Sequence, residues 1–130
     1  MSYDRIANLP VYRKAVDLRT MSREIASFVT HNKDLLSLSG SNSLRDHIAD
    51  SLLTDAILIP QQIAEAERSS SYATRRRIVK FINVMTRNLN MYCTGLEKDG
   101  VREREYLDLL RGELKSFRRS FKKWRSGLFD

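Results

Sequence analysis

The most constraining feature of the sequence is a stripe of apolar residues whose spacing alternates between three and four positions. Its members are Leu107, Leu110, Leu114, Phe117, Phe121, Trp124 and Leu128. This spacing places all seven side chains on one side of an α-helix, and it is typical of helices that pack into a left-handed bundle. The stripe therefore predicts a helix that packs along most of its length against other helices.

Three further segments carry apolar stripes at helical spacing. The first is Val11, Ala15, Leu18, Ser22, Ile25 and Val29, widened by Phe28; the second is Leu44, Ile48, Leu52, Ala56, Ile59 and Ile63; the third is Ile78, Phe81, Ile82, Met85, Leu89 and Tyr92. Together the four stripes predict helices at about residues 9–30, 43–67, 71–95 and 102–126, in one domain over residues 1–130. The predicted fold is all-α: an antiparallel up-down-up-down four-helix bundle. Five glycines and two prolines are too few for a many-turned β-sandwich or barrel.

Two regions interrupt the periodicity. Residues 31–42 are rich in serine and asparagine and predict a long loop. Three leucines are expected to hold this loop against the core: Leu35, Leu36 and Leu38. Pro60 lies inside the second segment, where it predicts a kinked helix, because the apolar pattern continues beyond it. The alternative is a helix that stops at Ile59 and a short one that restarts.

The charge of the chain is strongly uneven. Residues 1–67 hold 7 basic and 9 acidic side chains, whereas residues 68–130 hold 16 basic and 7 acidic. Two stretches in the second half, 68–96 and 115–125, carry six basic residues each and no acid. Their basic residues are the candidate nucleic-acid-binding residues: Arg68, Arg75, Arg76, Arg77, Lys80, Arg87, Lys115, Arg118, Arg119, Lys122, Lys123 and Arg125. This asymmetry favours a polyanionic partner. The alternative is a solvated basic surface that maintains solubility.

The type of contact follows from the residues within these stretches. Arginine suits bidentate contacts with phosphate, and three consecutive arginines fan over about 200° of a helix. At least two of Arg75, Arg76 and Arg77 should therefore face solvent or a partner. Phe117, Phe121 and Trp124 lie among the basic residues of the second stretch. Such interleaving can form a stacking platform for bases, but these aromatics hold the stripe positions and are expected in the core.

The sequence offers little reactive chemistry, and the prediction is a non-catalytic protein without cofactor or metal. His31 and His47 lack the spacing of metal-ligand pairs. Cys93 has no cysteine companion and is expected to be a partly buried structural thiol. Asp55, near the second stripe, is expected at the edge of that stripe or in a structural pair with a basic group from another helix.

The single cysteine also bears on location. One cysteine forms no internal disulfide, which predicts a reducing compartment. No apolar run approaches the roughly 20 residues of a membrane span, and Met1–Arg5 lacks the apolar core of a signal peptide. We therefore expect a cytoplasmic protein. Peripheral membrane association through the basic fourth helix is a weaker alternative, because the aromatics of that helix are needed in the core.

Three short stretches resemble a known family. Leu9–Ala15 (LPVYRKA), Ile59–Ala66 (IPQQIAEA) and Phe117–Trp124 (FRRSFKKW) are similar to motifs of four-helix-bundle proteins related to the 23S rRNA intervening-sequence protein and to the accessory variability determinant of diversity-generating retroelements. The sequence departs from the family pattern at Gln62, where asparagine is usual, and at Ala66, where glycine is usual. The family pattern also has a glutamate late in the third helix. That glutamate is missing here, and Asn88 and Asn90 lie near its place.

The resemblance implies a ring-shaped homopentamer of bundles without known catalysis. In the retroelement branch it implies binding of RNA and DNA and association with a reverse transcriptase. The leading hypothesis is thus a non-catalytic, oligomeric nucleic-acid-binding bundle. The second hypothesis is a protein-interaction scaffold that binds an acidic protein or its own copies through exposed apolar residues such as Phe28, Leu53 and Val79.

Overall fold

The computed structural model describes residues 3–31, 33, 36, 38 and 40–129 of the 130-residue chain, with the side chains of residues 3 and 4 left aside. Every regular element in these residues is an α-helix, which confirms the all-α class. The helices are α1 (Tyr3–Ala7), α2 (Pro10–Val29), α3 (Leu44–Arg68), α4 (Tyr72–Lys98) and α5 (Arg104–Leu128). The sequence did not predict α1, because five residues are too few to display a periodicity.

The four long helices surround one core. Helix α2 packs against α3 and α5, and α4 packs against the same two helices. Each long helix contributes side chains with no solvent exposure, among them Leu18, Ile59, Leu89 and Phe117. The α5 stripe is buried from Leu107 to Phe121, and its last two members are half-buried. The stripes thus form the contacts between helices, as the spacing predicted, and the chain is a helical bundle.

Some stripe members lie outside the core. Phe28 is 55 % exposed, Phe81 is 44 % exposed, and Leu44, the first residue of α3, is also exposed. Phe28 and Phe81 each precede a fully or nearly buried neighbour, Val29 or Ile82. Because consecutive helix positions differ by about 100°, these aromatics point away from the centre of their stripes.

Two serines and one glycine define helix ends. The Ser43 hydroxyl accepts a hydrogen bond from the Asp46 backbone N–H (3.3 Å), and the Ser71 hydroxyl accepts one from the Thr74 N–H (3.2 Å). Each is an N-cap that satisfies a backbone donor left free at the start of a helix. Gly100 follows the end of α4 with φ of +86°, a conformation that glycine adopts without steric cost.

Helix α3 continues through Pro60, which is buried inside it. The alternative of a helix that stops at Ile59 is therefore wrong. Proline lacks the N–H that would bond one turn back, and the packing of the buried residues on both sides, Ile59 and Ile63, keeps the helix in one piece.

The segment before α3, which was predicted as a loop, is helical at Leu36 and Leu38 and is tied to α3 through one carboxylate. Asp46 is buried, pairs with Lys33 and accepts a hydrogen bond from the Ser41 hydroxyl (2.7 Å). These bonds, that from Lys33 above all, hold the pKa of Asp46 below its ordinary value. Leu38 is buried as predicted, whereas the prediction for Leu36 is wrong, since it is 82 % exposed. Leu35 lies outside the described residues.

Within the part of the chain that the structure describes, none of the helices is both long enough and apolar enough to cross a bilayer.

Candidate nucleic-acid interface

A straight row of cations lies beside the apolar stripe of α5. From Leu110 onward, every stripe residue up to Trp124 is followed directly by a basic residue. The five members of the row are Arg111, Lys115, Arg118, Lys122 and Arg125. They repeat the stripe's spacing of four and three, so they share one side of the helix, rotated by about 100° from the core. With a rise of about 1.5 Å per residue, the row is about 21 Å long.

This row faces α4 across a groove. Two neighbouring hollows, of about 340 Å³ and 190 Å³, open between the helices, and both contact Arg118. Helix α4 contributes Asn83, Arg87 and Asn90, which also follow a spacing of four and three. We call this feature the α4–α5 groove, and its lining residues are Asn83, Arg87, Asn90, Arg111, Leu114, Lys115, Arg118, Phe121, Lys122 and Arg125.

The α4–α5 groove has a strongly positive lining without a carboxylate. Arg111 is the neutralised member, because its guanidinium contacts Glu97 (2.8 Å) and Asp108 (3.0 Å). The hydrogen bond to Glu97 raises the pKa of Arg111 above its ordinary value. The five other cations of the groove have no carboxylate within 4.0 Å among the described residues. They are Arg87, Lys115, Arg118, Lys122 and Arg125, and the last of them also lies 5.8 Å from the Phe121 ring centroid.

Arg75 has a different position from its neighbours. Its guanidinium is half-buried and donates hydrogen bonds to the carbonyl oxygens of Ala66 (3.3 Å), Ser69 (2.8 Å) and Leu128 (3.1 Å). It thereby joins the α3–α4 turn to the end of α5. Arg76 and Arg77 are exposed, in agreement with the prediction that at least two of the three arginines face outward.

The remaining basic candidates are dispersed over the surface. Arg68, Lys80, Arg119 and Lys123 are exposed and do not line the α4–α5 groove. The structure thus brings five of the twelve predicted residues into one groove and leaves the others outside it. It also adds Asn83 and Asn90, which the charge pattern missed because they are neutral. The sequence signal that could have found them is their spacing: Asn83 lies four residues before Arg87 and Asn90 three residues after it, which places all three on one side of α4.

The three aromatic residues of the α5 stripe lie in the core or pack against it, as predicted. Phe117 and Phe121 are buried and stack on each other with ring centroids 5.8 Å apart. Trp124 is half-buried, and its indole N–H donates to Glu67 Oε2 at 2.7 Å. These rings are therefore engaged within the bundle, and the positive side chains are the parts of this surface open to a ligand.

Three of the residues considered for reactive chemistry are paired or buried: His47, Cys93 and Asp55. The His47 ring contacts the Ser41 carbonyl oxygen, and no group of three potential metal ligands occurs among the described residues. Cys93 is fully buried, and burial raises the pKa of its thiol to about 11. Asp55 is half-buried at the edge of its stripe and accepts a hydrogen bond from the Tyr92 hydroxyl at 2.9 Å. Of the two alternatives, the edge position is therefore the one observed, and no basic group pairs with Asp55 among the described residues. Burial first, and then this bond, raise the pKa of Tyr92 to about 12.

Comparisons of the chain with protein-family models, with curated proteins and with solved structures find no match. The resemblance to the intervening-sequence and retroelement proteins thus depends on the three short motifs alone.

Proposed function

We propose that this protein is a non-catalytic nucleic-acid-binding bundle whose α4–α5 groove binds the sugar-phosphate backbone of RNA or DNA. One observation carries the proposal. Arg87, from the first acid-free stretch, lines the same groove as Arg118 and Lys122, from the second, and no carboxylate lies between them. Residues more than 30 positions apart in sequence thus combine into one positive surface about 21 Å long.

The groove would act through phosphate contacts. Lysine and arginine side chains that meet phosphates release condensed counterions, which supplies affinity without sequence preference. Arg87 and Arg118 can each donate two parallel hydrogen bonds to a phosphate, whereas Lys122 acts as a point charge. Asn83 and Asn90 offer amide donors and acceptors to sugars or to unpaired base edges. Affinity is therefore expected to depend steeply on salt and weakly on sequence.

The proposal includes an antiparallel up-down-up-down arrangement of the helices. Two contacts between helix ends support it. Arg45, at the start of α3, contacts Asp99, directly after α4, at 2.8 Å. Arg75, near the start of α4, contacts Leu128, the last residue of α5, at 3.1 Å. Each contact joins the beginning of one helix to the end of the next.

The finer parts of the proposal depend on the family resemblance. They are a ring of five subunits and a role as accessory to a reverse transcriptase. A cytoplasmic location is proposed separately, from the single cysteine. A ring would repeat the α4–α5 groove once per subunit, so that a long strand could contact several grooves and gain avidity.

A protein-interaction scaffold is the second candidate function, and the exposed apolar surface favours it. Phe28 is exposed and available to a partner, whereas Leu53 is half-buried and packs against the core. Val79, which was also expected on that surface, is 6 % exposed and belongs to the core. An acidic protein would be the partner that the positive groove attracts.

Fluorescence anisotropy tests the proposal. Labelled single-stranded RNA, single-stranded DNA and duplex DNA of equal length are titrated with the protein across a salt series. We expect saturable binding that weakens steeply with salt, and competition by unlabelled RNA at much lower concentration than by poly-glutamate of equal charge. An absence of binding at the lowest salt would refute the proposal. Equal competition by poly-glutamate would favour the scaffold.

A further inference from the structure

A second, apolar groove lies between α2 and α5. A hollow of about 560 Å³ is lined by Met21, Ile25 and Phe28 of α2 and by Tyr106 and Leu109 of α5. The Phe28 and Tyr106 rings contact each other with centroids 5.0 Å apart, and Leu109 is 59 % exposed. Large apolar side chains gathered in one open hollow mark a surface that another molecule covers.

This groove continues into an acidic segment. A neighbouring hollow of about 280 Å³ is lined by Asp17, Glu24 and Glu113 together with Thr20 and Met21. Glu24 and Met21 also line the apolar hollow, which makes the two continuous, and the basic residue Arg23 lines the apolar hollow as well. We call the whole feature the α2–α5 groove: apolar toward Phe28 and acidic toward Asp17. The part on α2 is about 16 Å long.

The outward side of α4 has the complementary pattern. Phe81, Val84 and Met91 are exposed apolar residues, and Val84 is 45 % exposed. Arg77 and Lys80 are exposed on the same side, toward the start of the helix. The five positions follow helical spacing and extend over about 21 Å. We call this surface the α4 face: it is basic at one end and mainly apolar over the rest, with the half-buried Asn88 between Val84 and Met91.

We propose that the α4 face of one copy docks into the α2–α5 groove of a second copy. Val84 and Met91 would cover Phe28 and Leu109. Arg77 and Lys80 would contact the acidic segment of the groove. The two surfaces are similar in length, about 16 Å on α2 and about 21 Å on α4. Both carry large apolar side chains, and their charged ends are opposite in sign. This inference rests on the self-association that is part of the proposed function, and it names the surfaces that make the contact.

The contact is head-to-tail. Helix α4 packs against α3 and α5, on the far side of the core from α2, so one copy offers its face and its groove in different directions. Each copy can then bind one neighbour through the face and another through the groove. Such heterologous contacts produce a closed ring when the rotation between copies divides the circle evenly.

The docking leaves the α4–α5 groove accessible. Asn83 precedes Val84 and Asn90 precedes Met91, so these two side chains of that groove point about 100° away from Val84 and Met91. Arg87 lies about 60° from Val84, at the border between the α4 face and the α4–α5 groove. Arg77 and Lys80 are thereby assigned to self-association, while Arg87 and the cations of α5 bind nucleic acid.

Two single variants of the full chain test the inference by sedimentation velocity. Val84→Asp disrupts the α4 face and leaves the α2–α5 groove intact. Leu109→Asp disrupts the α2–α5 groove and leaves the α4 face intact. Each is expected to weaken self-association by roughly 100-fold or more, because an unpaired carboxylate would be buried in an apolar contact. Mixing the two variants in equal amounts should restore one intact contact and give a dimer but nothing larger.

Leu44→Asp is the matched control, because Leu44 is an exposed leucine outside both surfaces. It should assemble as the wild type does, and circular dichroism should show equal helicity for all variants. A wild type that stays monomeric, a Val84→Asp variant that still assembles, or a mixture that stays monomeric would each overturn the inference. RNA binding at low salt by the monomeric variants reports on the α4–α5 groove separately, so its loss alone would count against the proposed function.

Discussion

Neutralising two cations of the α4–α5 groove should change the salt dependence of RNA binding by a calculable amount. The variant is Arg118→Gln with Lys122→Gln, at two exposed positions without a carboxylate partner among the described residues. The groove holds five cations that are free of such partners. For single strands, each phosphate contact contributes about 0.7 to the slope of log K against log salt. The wild-type slope should then be about −3.5 and that of the variant about −2.

The difference is easy to measure. Between about 50 mM and 200 mM salt, the wild type should lose about 100-fold in affinity and the variant only about 20-fold. The assay is fluorescence anisotropy with labelled single-stranded RNA at several salt concentrations in that range. At the lowest salt the variant should also bind more weakly than the wild type, because two favourable phosphate contacts are missing.

The matched control is Arg119→Gln with Lys123→Gln. These residues adjoin the first pair in sequence and are exposed, but they do not line the groove. Their slope should stay near the wild-type value. If the control changes the slope as much as the groove variant, the general positive field binds RNA and the groove has no special role. An unchanged slope in the groove variant would refute the assignment of Arg118 and Lys122 as phosphate contacts.

Three predictions concern stability. Arg75→Met should lower the free energy of unfolding by about 1–3 kcal/mol, because three carbonyl oxygens lose a charged donor. The control Arg76→Met, at an exposed position, should change it by less than about 0.5 kcal/mol. Urea denaturation measures both, and equal effects would contradict the assigned contacts. The pKa of Asp46 is depressed, so its contribution is complete above its ordinary value of 3.8 and is lost as pH falls through the lower, folded value. The stability difference between wild type and Asp46→Asn should therefore shrink on acidification below about pH 4, and a constant difference down to acid unfolding would contradict the ionic role. Gly100→Ala should destabilise the protein by about 1 kcal/mol, because φ is positive at this residue. Gly112→Ala should stabilise it by about 0.5–1 kcal/mol, because Gly112 lies inside α5 and an added Cβ would meet no other atom within 4 Å. The melting temperatures of the two variants test both expectations, and a change in the opposite direction would contradict either one.

The elements of the fold were accessible from sequence because helical periodicity is a local property. Only an α-helix places the apolar residues from Leu107 to Phe121 on one side of the chain, and these side chains are buried as predicted. The same reasoning failed at its edges. Phe28 and Phe81 have the right spacing, but whether an edge position is covered depends on the neighbouring helix, which the stripe does not specify.

The candidate site was predictable in kind but not in detail. The two acid-free stretches indicated a positive surface, and the structure places five of their residues in the α4–α5 groove. Charge alone gave no sign that Arg75 binds three backbone carbonyls or that Asp55 accepts a hydrogen bond from Tyr92. These partners lie 6 to 53 positions apart, so only the return of the chain brings them together.

The sequence by itself determined that this chain forms amphipathic helices with a basic second half, because spacing and charge are read residue by residue along a helix of 3.6 residues per turn. The tertiary structure decided which surfaces those helices share. It placed the cations of α5 opposite Arg87 and set the exposed apolar side chains of α2 and α5 around one hollow. The physical reason is that a helix fixes the direction of each side chain relative to its own axis, while the packing of four helices around a core fixes which directions meet.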